Sequence, residues 1–133
     1  MRTLQFSYFA LKSTTTSAAE MTARIGAEPD EVLVLGSRGA PPHCHAWKIV
    51  RRRAESVDDQ IQHLVERLTP VHAALVELVN DPAIIPIMQV VRYFGHEDGF
   101  EDPRPLGWGL SPEVLAFLTA VKAHLDVDEY DWS

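Results

Sequence analysis

Apolar and polar residues alternate at the start of the chain. Leu4, Phe6 and Tyr8 take turns with Gln5 and Ser7 before Phe9 and Leu11, and a period of two rich in aromatics predicts a half-buried strand. After "STTTS", Ser17 and Glu20 have capping-box spacing, in which the serine hydroxyl accepts from the backbone at Glu20 and the glutamate reaches back to the cap. A short helix follows with Ala18, Met21 and Ile25 inward, and Gly26 is placed to stop it in a left-handed conformation. "EVLVLG", ended by Gly36, and "HAWKIVRRR", with Trp47 and Ile49 on one side, are either two short strands or one bent strand.

The strongest periodicity comes next. Behind a Ser56 cap, Val57, Ile61, Leu64, Val65, Leu68, Val71, Leu75, Leu78 and Val79 recur at helical spacing, which predicts a core-facing helix. Pro70 removes a backbone donor and clashes with the preceding turn, so the helix kinks there or divides in two, with Thr69 as the second cap. "DPAIIPIMQVVRYFG" is apolar on both alternate faces, as a central strand requires, although Pro86 counts against its early part. A Gly-, Pro- and acid-rich loop leads to Ser111 and Pro112, a cap and first-position proline. Val114, Leu115, Leu118, Val121 and Leu125 then form the inward side of a last helix, and "DVDEYDW" closes the chain as an acidic strand.

This order predicts one α+β domain over residues 1–133. The expected architecture is a mostly antiparallel four-stranded sheet with helices on one face, ordered βαβ-α-βαβ. It is a ferredoxin-like pseudo-repeat with a long kinked helix inserted between its halves.

Composition adds boundaries. A chain of 133 residues, 46% hydrophobic and 23% charged, is long enough to bury a core without disulfide or metal staples. The formal charge of -7 repels nucleic-acid phosphates and anionic membranes, so neither is an expected partner. One cysteine allows no internal disulfide and suits a cytoplasmic protein. "MRTLQFSYFALKSTTTSAA" reads as a strand, because Gln5 and Ser7 interrupt the apolar run of a would-be secretion signal. No apolar stretch is long enough to cross a bilayer.

Scattered positions along nearly the whole chain carry a family likeness. They are Ile25, Gly26 and Pro29 after the first helix, Gly36, Trp47, and "LSPEVLAFL" running into "LDVDEY" with Leu125, Asp126, Asp128 and Tyr130. In these the sequence resembles the bacterial domain of unknown function family 4279. The resemblance implies an α+β fold of this size and brings no reaction, cofactor or catalytic residue. The His43 and His45 stretch is not part of the family pattern.

The candidate chemistry begins at "PPHCHAWK". His43 and His45 are two apart, so extended backbone puts both on one face and Cys44 on the other. Zinc needs four ligands, or three and a water, and His96 with Glu97 is the source of a third. The alternative, and the commoner role, is that all three histidines are ordinary polar residues at strand ends. Cys44 as a nucleophile is disfavoured because its sequence neighbours diverge from it on a strand. No cofactor is expected, with zinc as the one exception these histidines would suit.

Lys48, Arg51, Arg52 and Arg53 form a basic cluster able to hold an anion, although strand alternation splits the arginines between faces. The acidic loop of Glu97, Asp98, Glu101 and Asp102 lacks the ligand spacing of a calcium loop. Phe100 and Trp108 beside it are of the type that anchors partners. Trp47, Arg51, Arg53, Phe100 and Trp108 are therefore the candidate ligand or partner contacts. A non-catalytic protein-interaction or accessory (immunity-like) domain, binding a protein partner or forming a homodimer, is the expected function. The alternative is a small enzyme or ligand-binding protein with a histidine-lined site.

Overall fold

The structure, a computed structural model, describes residues 2–95 and 107–131. Strand β1 (Arg2–Ser13) leads through α1 (Ala18–Ile25) to β2 (Glu31–Leu33) and β3 (His45–Arg51). Helices α2 (Val57–Leu68) and α3 (His72–Leu78) are joined by a 3-10 turn over Thr69–Val71, and β4 (Ile85–Gly95), α4 (Pro112–Ala120) and β5 (His124–Asp131) follow. The sheet runs β2-β3-β1-β4-β5, antiparallel except for the parallel pair β4 and β5.

Two expectations about the sheet change. It has five strands, because "EVLVLG" contributes a three-residue edge strand and "HAWKIVR" a separate one. Nor is the order ferredoxin-like. The last unit is the expected βαβ, with β4 and β5 adjacent and parallel on either side of α4. In the first unit β3 inserts between β1 and β2, so both neighbours of β1 are antiparallel to it.

Most local signals act as their chemistry predicts. The Ser17, Ser56 and Ser111 hydroxyls accept from the backbone N–H of Glu20, Asp59 and Val114. Gly26 closes α1 at φ 80, a conformation a Cβ would strain. Pro70 divides the long helix, but Thr69 does not cap the second piece: its Oγ1 donates back to the Val65 carbonyl at 2.9 Å. In α4 the residue facing inward with Val114, Leu118 and Val121 is Phe117, and Leu115 is exposed. The i, i+3, i+4, i+7 series from Val114 fixes that stripe and puts Leu115 outside it. Pro86 precedes Ile87, the first β4 residue paired with β5, so its missing N–H does not interrupt that ladder.

All four helices lie over one face of the sheet. Phe9, Leu11, Trp47, Ile49, Met88 and Val90 point into the core with Met21, Ile61, Leu64, Leu75 and Val121 from the helices. The Phe9 ring meets Phe117 edge-on at 6.4 Å. Among the described residues no helix covers the opposite face, and none is long and apolar enough to cross a membrane.

Candidate functional site

The covered side holds a polar chain beneath the start of α2. Ser7 Oγ donates to Gln60 Oε1 at 2.9 Å, and Gln60 Nε2 donates to the carbonyls of Gln5 and Arg53. Gln5 Oε1 in turn accepts from Arg92 Nε at 3.2 Å, and Arg92 Nη1 pairs with Glu129 at 3.1 Å. Ser7, Gln60 and Arg92 are buried, so these bonds keep polar atoms from lying unsatisfied and tie α2 to β1 and to the turn after β3, and β1 to β4. A cleft of about 390 Å3 opens there, lined by Gln5, Ser56, Val57, Asp58, Asp59, Arg92, Gly107 and Trp108.

The open side is built from the alternate positions of the same strands. Register sets Leu4, Phe6, Tyr8, Ala10 and Lys12 of β1 beside Tyr93, Val91, Gln89, Ile87 and Ile85 of β4. β3 adds Val50 and Lys48 on one flank, and β5 adds Tyr130, Asp128, Asp126 and His124 on the other. Phe6 and Tyr8 stack at 6.4 Å, and Tyr93 and Tyr130 at 5.1 Å. Arg52 lies over the Phe6 ring at 4.5 Å and Lys48 over Tyr8 at 4.7 Å, contacts favoured by the ring quadrupole.

On this face Lys12, Lys48 and Arg52 occupy the β1 and β3 side, with Glu31 of β2 beside Lys48 and 3.2 Å from Arg52, and Asp126 and Asp128 occupy the β5 side, where Asp128 accepts from Gln89 Nε2 at 3.2 Å. Burial pushes the Tyr8 phenol above its usual range, and Asp128 and Asp126 add to the shift. Burial lowers the Lys48 ammonium, and Lys12 acts the same way. Leu4, Ile85 and Tyr130 are more than two-fifths exposed, so the face presents apolar surface between opposite charges.

The candidates named from sequence are scattered. His43 is exposed in the connection before β3, Cys44 is half-buried, and His45 opens β3 with its Nδ1 accepting from Leu35 N at 3.1 Å. His45 pairs with Ser13 at the end of the 12-residue β1. His96 and Phe100, with Glu97, Asp98, Glu101 and Asp102, lie outside the described residues. Among those described, no group of three His, Cys, Asp or Glu side chains is placed to hold a metal.

Trp47 has no exposed surface and packs in the core, with no hydrogen-bond partner for its Nε1 among the described residues. It packs in the hydrophobic core beside Leu11 and Ile49. Arg51 holds Glu55 through two bonds of 2.7 and 3.1 Å, Arg53 is exposed, and Trp108 is half-buried at the cleft. Arg51 faces the covered side beside Ser7 and Arg52 the open side over Phe6, the split that strand alternation predicts. The open-face aromatics escaped the sequence reading, although Leu4, Phe6 and Tyr8 are as apolar as Phe9 and Leu11. An apolar series on both sides of β1 was the available signal.

No curated protein and no solved structure matches the chain. A family model described as a domain of unknown function (DUF4279) matches residues 2–132. That span takes in both sheet faces, the cleft and every helix, and the chain belongs to this family.

Proposed function

We propose that this domain is a non-catalytic accessory module that binds protein through the open face of its sheet. The observation that carries the reading is a four-strand surface, covered by no helix among the described residues, with stacked aromatics and with lysines and aspartates along its sides. Tyrosine and arginine are the side chains that dominate protein interfaces, and a mixed apolar and charged patch is typical of them. With a formal charge of -7, nucleic acid is a poor occupant. The single cysteine, half-buried and unpaired, favours the cytoplasm as the working compartment.

The test is capture of binding proteins from the source cell by tagged wild-type chain and by a Tyr8→Glu, Tyr130→Glu variant whose circular dichroism matches wild type. A protein retained by wild type and lost by the variant is the expected result. Equal retention by both, or no specific protein at all, overturns the reading.

The second reading, a small-ligand or enzymatic site, rests on the cleft where buried Arg92 and Gln5 meet Asp58, Asp59 and Trp108. None of its described lining residues is a histidine. A metabolite that raises the melting temperature of wild type but not of Asp59→Ala would favour it.

A further inference from the structure

We propose that the outer edge of β5 takes up an extended segment of another protein as a sixth strand, one that carries basic side chains on the open side of the sheet and apolar side chains on the covered side. The site is an edge of the sheet and not its open face, so it goes beyond the interaction surface proposed above.

The two strands that end the sheet differ. β2 has three residues, a length that blunts an edge against pairing. β5 has eight, His124–Asp131, all of them exposed, and among the described residues it pairs only with β4. Hydrogen bonding in a strand alternates between its two sides, so about half of the backbone N–H and C=O groups of β5 point away from β4. Such groups are satisfied by water or by another extended main chain, and strand addition is a recurrent mode of peptide recognition.

The side chains of β5 set the chemistry of the incoming strand. Register places Leu125 and Val127 on the covered side beside Met88 and Val90. They are 39% and 41% exposed, whereas Met88 and Val90 have no exposed surface. The core therefore thins out at β5, and apolar residues of a sixth strand opposite Leu125 and Val127 would extend it. On the open side the alternate positions are Asp126 and Asp128, beside Gln89 and Val91. Neither aspartate has an ion-pair partner among the described residues, whereas Glu129, on the covered side, is held by Arg92 at 3.1 Å. Carboxylates two residues apart on one side of an edge repel a strand of like charge, the β5 of a second copy included. Lysine or arginine at matching positions is favoured instead, because directly opposed charges of opposite sign stabilise a strand pair.

The test sets the full chain against a capped, fluorescein-labelled peptide of alternating lysine and valine. Anisotropy should show saturable binding. Hydrogen exchange at amides between Leu125 and Glu129 should slow at least tenfold in the complex, because outward N–H groups then have acceptors. Methylating every backbone amide of the peptide keeps its side chains and charge but removes its donors, and should weaken binding at least tenfold. An Asp126→Lys, Asp128→Lys variant with wild-type circular dichroism should lose at least tenfold in affinity for the lysine peptide and bind instead the peptide in which glutamate replaces lysine. No saturable binding, β5 exchange that does not slow, a methylated peptide that binds as well as its parent, or a variant that keeps its preference for lysine overturns the inference. Any of these results leaves the capture experiment on the open face standing.

Discussion

Phe9 and Phe6 belong to one strand and to opposite sides of one sheet. Phe9 has no exposed surface and meets the Phe117 ring of α4, whereas Phe6 stacks on Tyr8 under the Arg52 guanidinium with no helix above it among the described residues. The two sides are alike in apolar content and differ in what lies over them. Hydrophobic character alone therefore does not tell the two sides apart, and the placement of the helices decides which side they cover.

The sharpest way to break that comparison is to truncate both rings. Phe9→Ala should cost about 3–5 kcal/mol in urea unfolding, the range for emptying a packed aromatic site, and Phe6→Ala about 1 kcal/mol or less as a half-solvated change. Equal losses would mean that something covers the open face in the monomer. The polar chain on the covered side gives the next effect. Gln60→Met keeps the volume but leaves the buried Ser7 hydroxyl without its acceptor and takes one donor from each of the Gln5 and Arg53 carbonyls, at a cost of about 1–3 kcal/mol. The open-face Gln89→Met, which removes a bond to exposed Asp128, should cost less than half as much by the same measurement.

What was legible in the sequence follows from which signals are local. Ser17, Ser56 and Ser111 need only the next three residues to cap a helix, and they do so. Pro70 needs only its own ring to divide one. Pairing is not local: nothing near "HAWKIVR" says that it inserts between β1 and β2, so the ferredoxin-like order could not be told from the real one. Site reading meets the same limit: His43 and His45 stand out as neighbours in sequence, whereas any third ligand has to come from a distant part of the chain. Tyr8, Lys48 and Asp128, on three different strands, became a surface only once their order was known.

Smaller effects sharpen the comparison at the margins of the covered side. Ser111→Ala removes the hydroxyl that accepts from Val114 N and should cost about 1 kcal/mol in thermal or urea unfolding. Last comes Asp30, which joins the start of β2 to α2 through two 2.7 Å bonds from Arg67. The Arg67 hydrogen bonds chiefly, and the Val50 N–H with them, hold its carboxyl below the usual range. A depressed carboxyl adds stability above its unfolded value of about 3.9, and that stability is lost as pH falls through the folded value. Both partners are more than a third exposed, so solvent screening limits the effect to about 1 kcal/mol or less. Arg67→Met should flatten the acid limb of the stability profile below about pH 4, read from urea midpoints at successive pH values.

The central place of β1 bears on how the chain reaches this state. β1 is synthesised before both of the strands that flank it, and Phe9 waits for Ile49 on one side and Met88 on the other. Contacts so distant in sequence close loops before they return any stabilisation, and such topologies fold in about milliseconds to seconds. During synthesis this aromatic segment stays unpaired until the middle of the chain has emerged, the interval in which misassembly is most expected. Because both sides of β1 are apolar, shielding that strand early would speed productive folding more than shielding any later one.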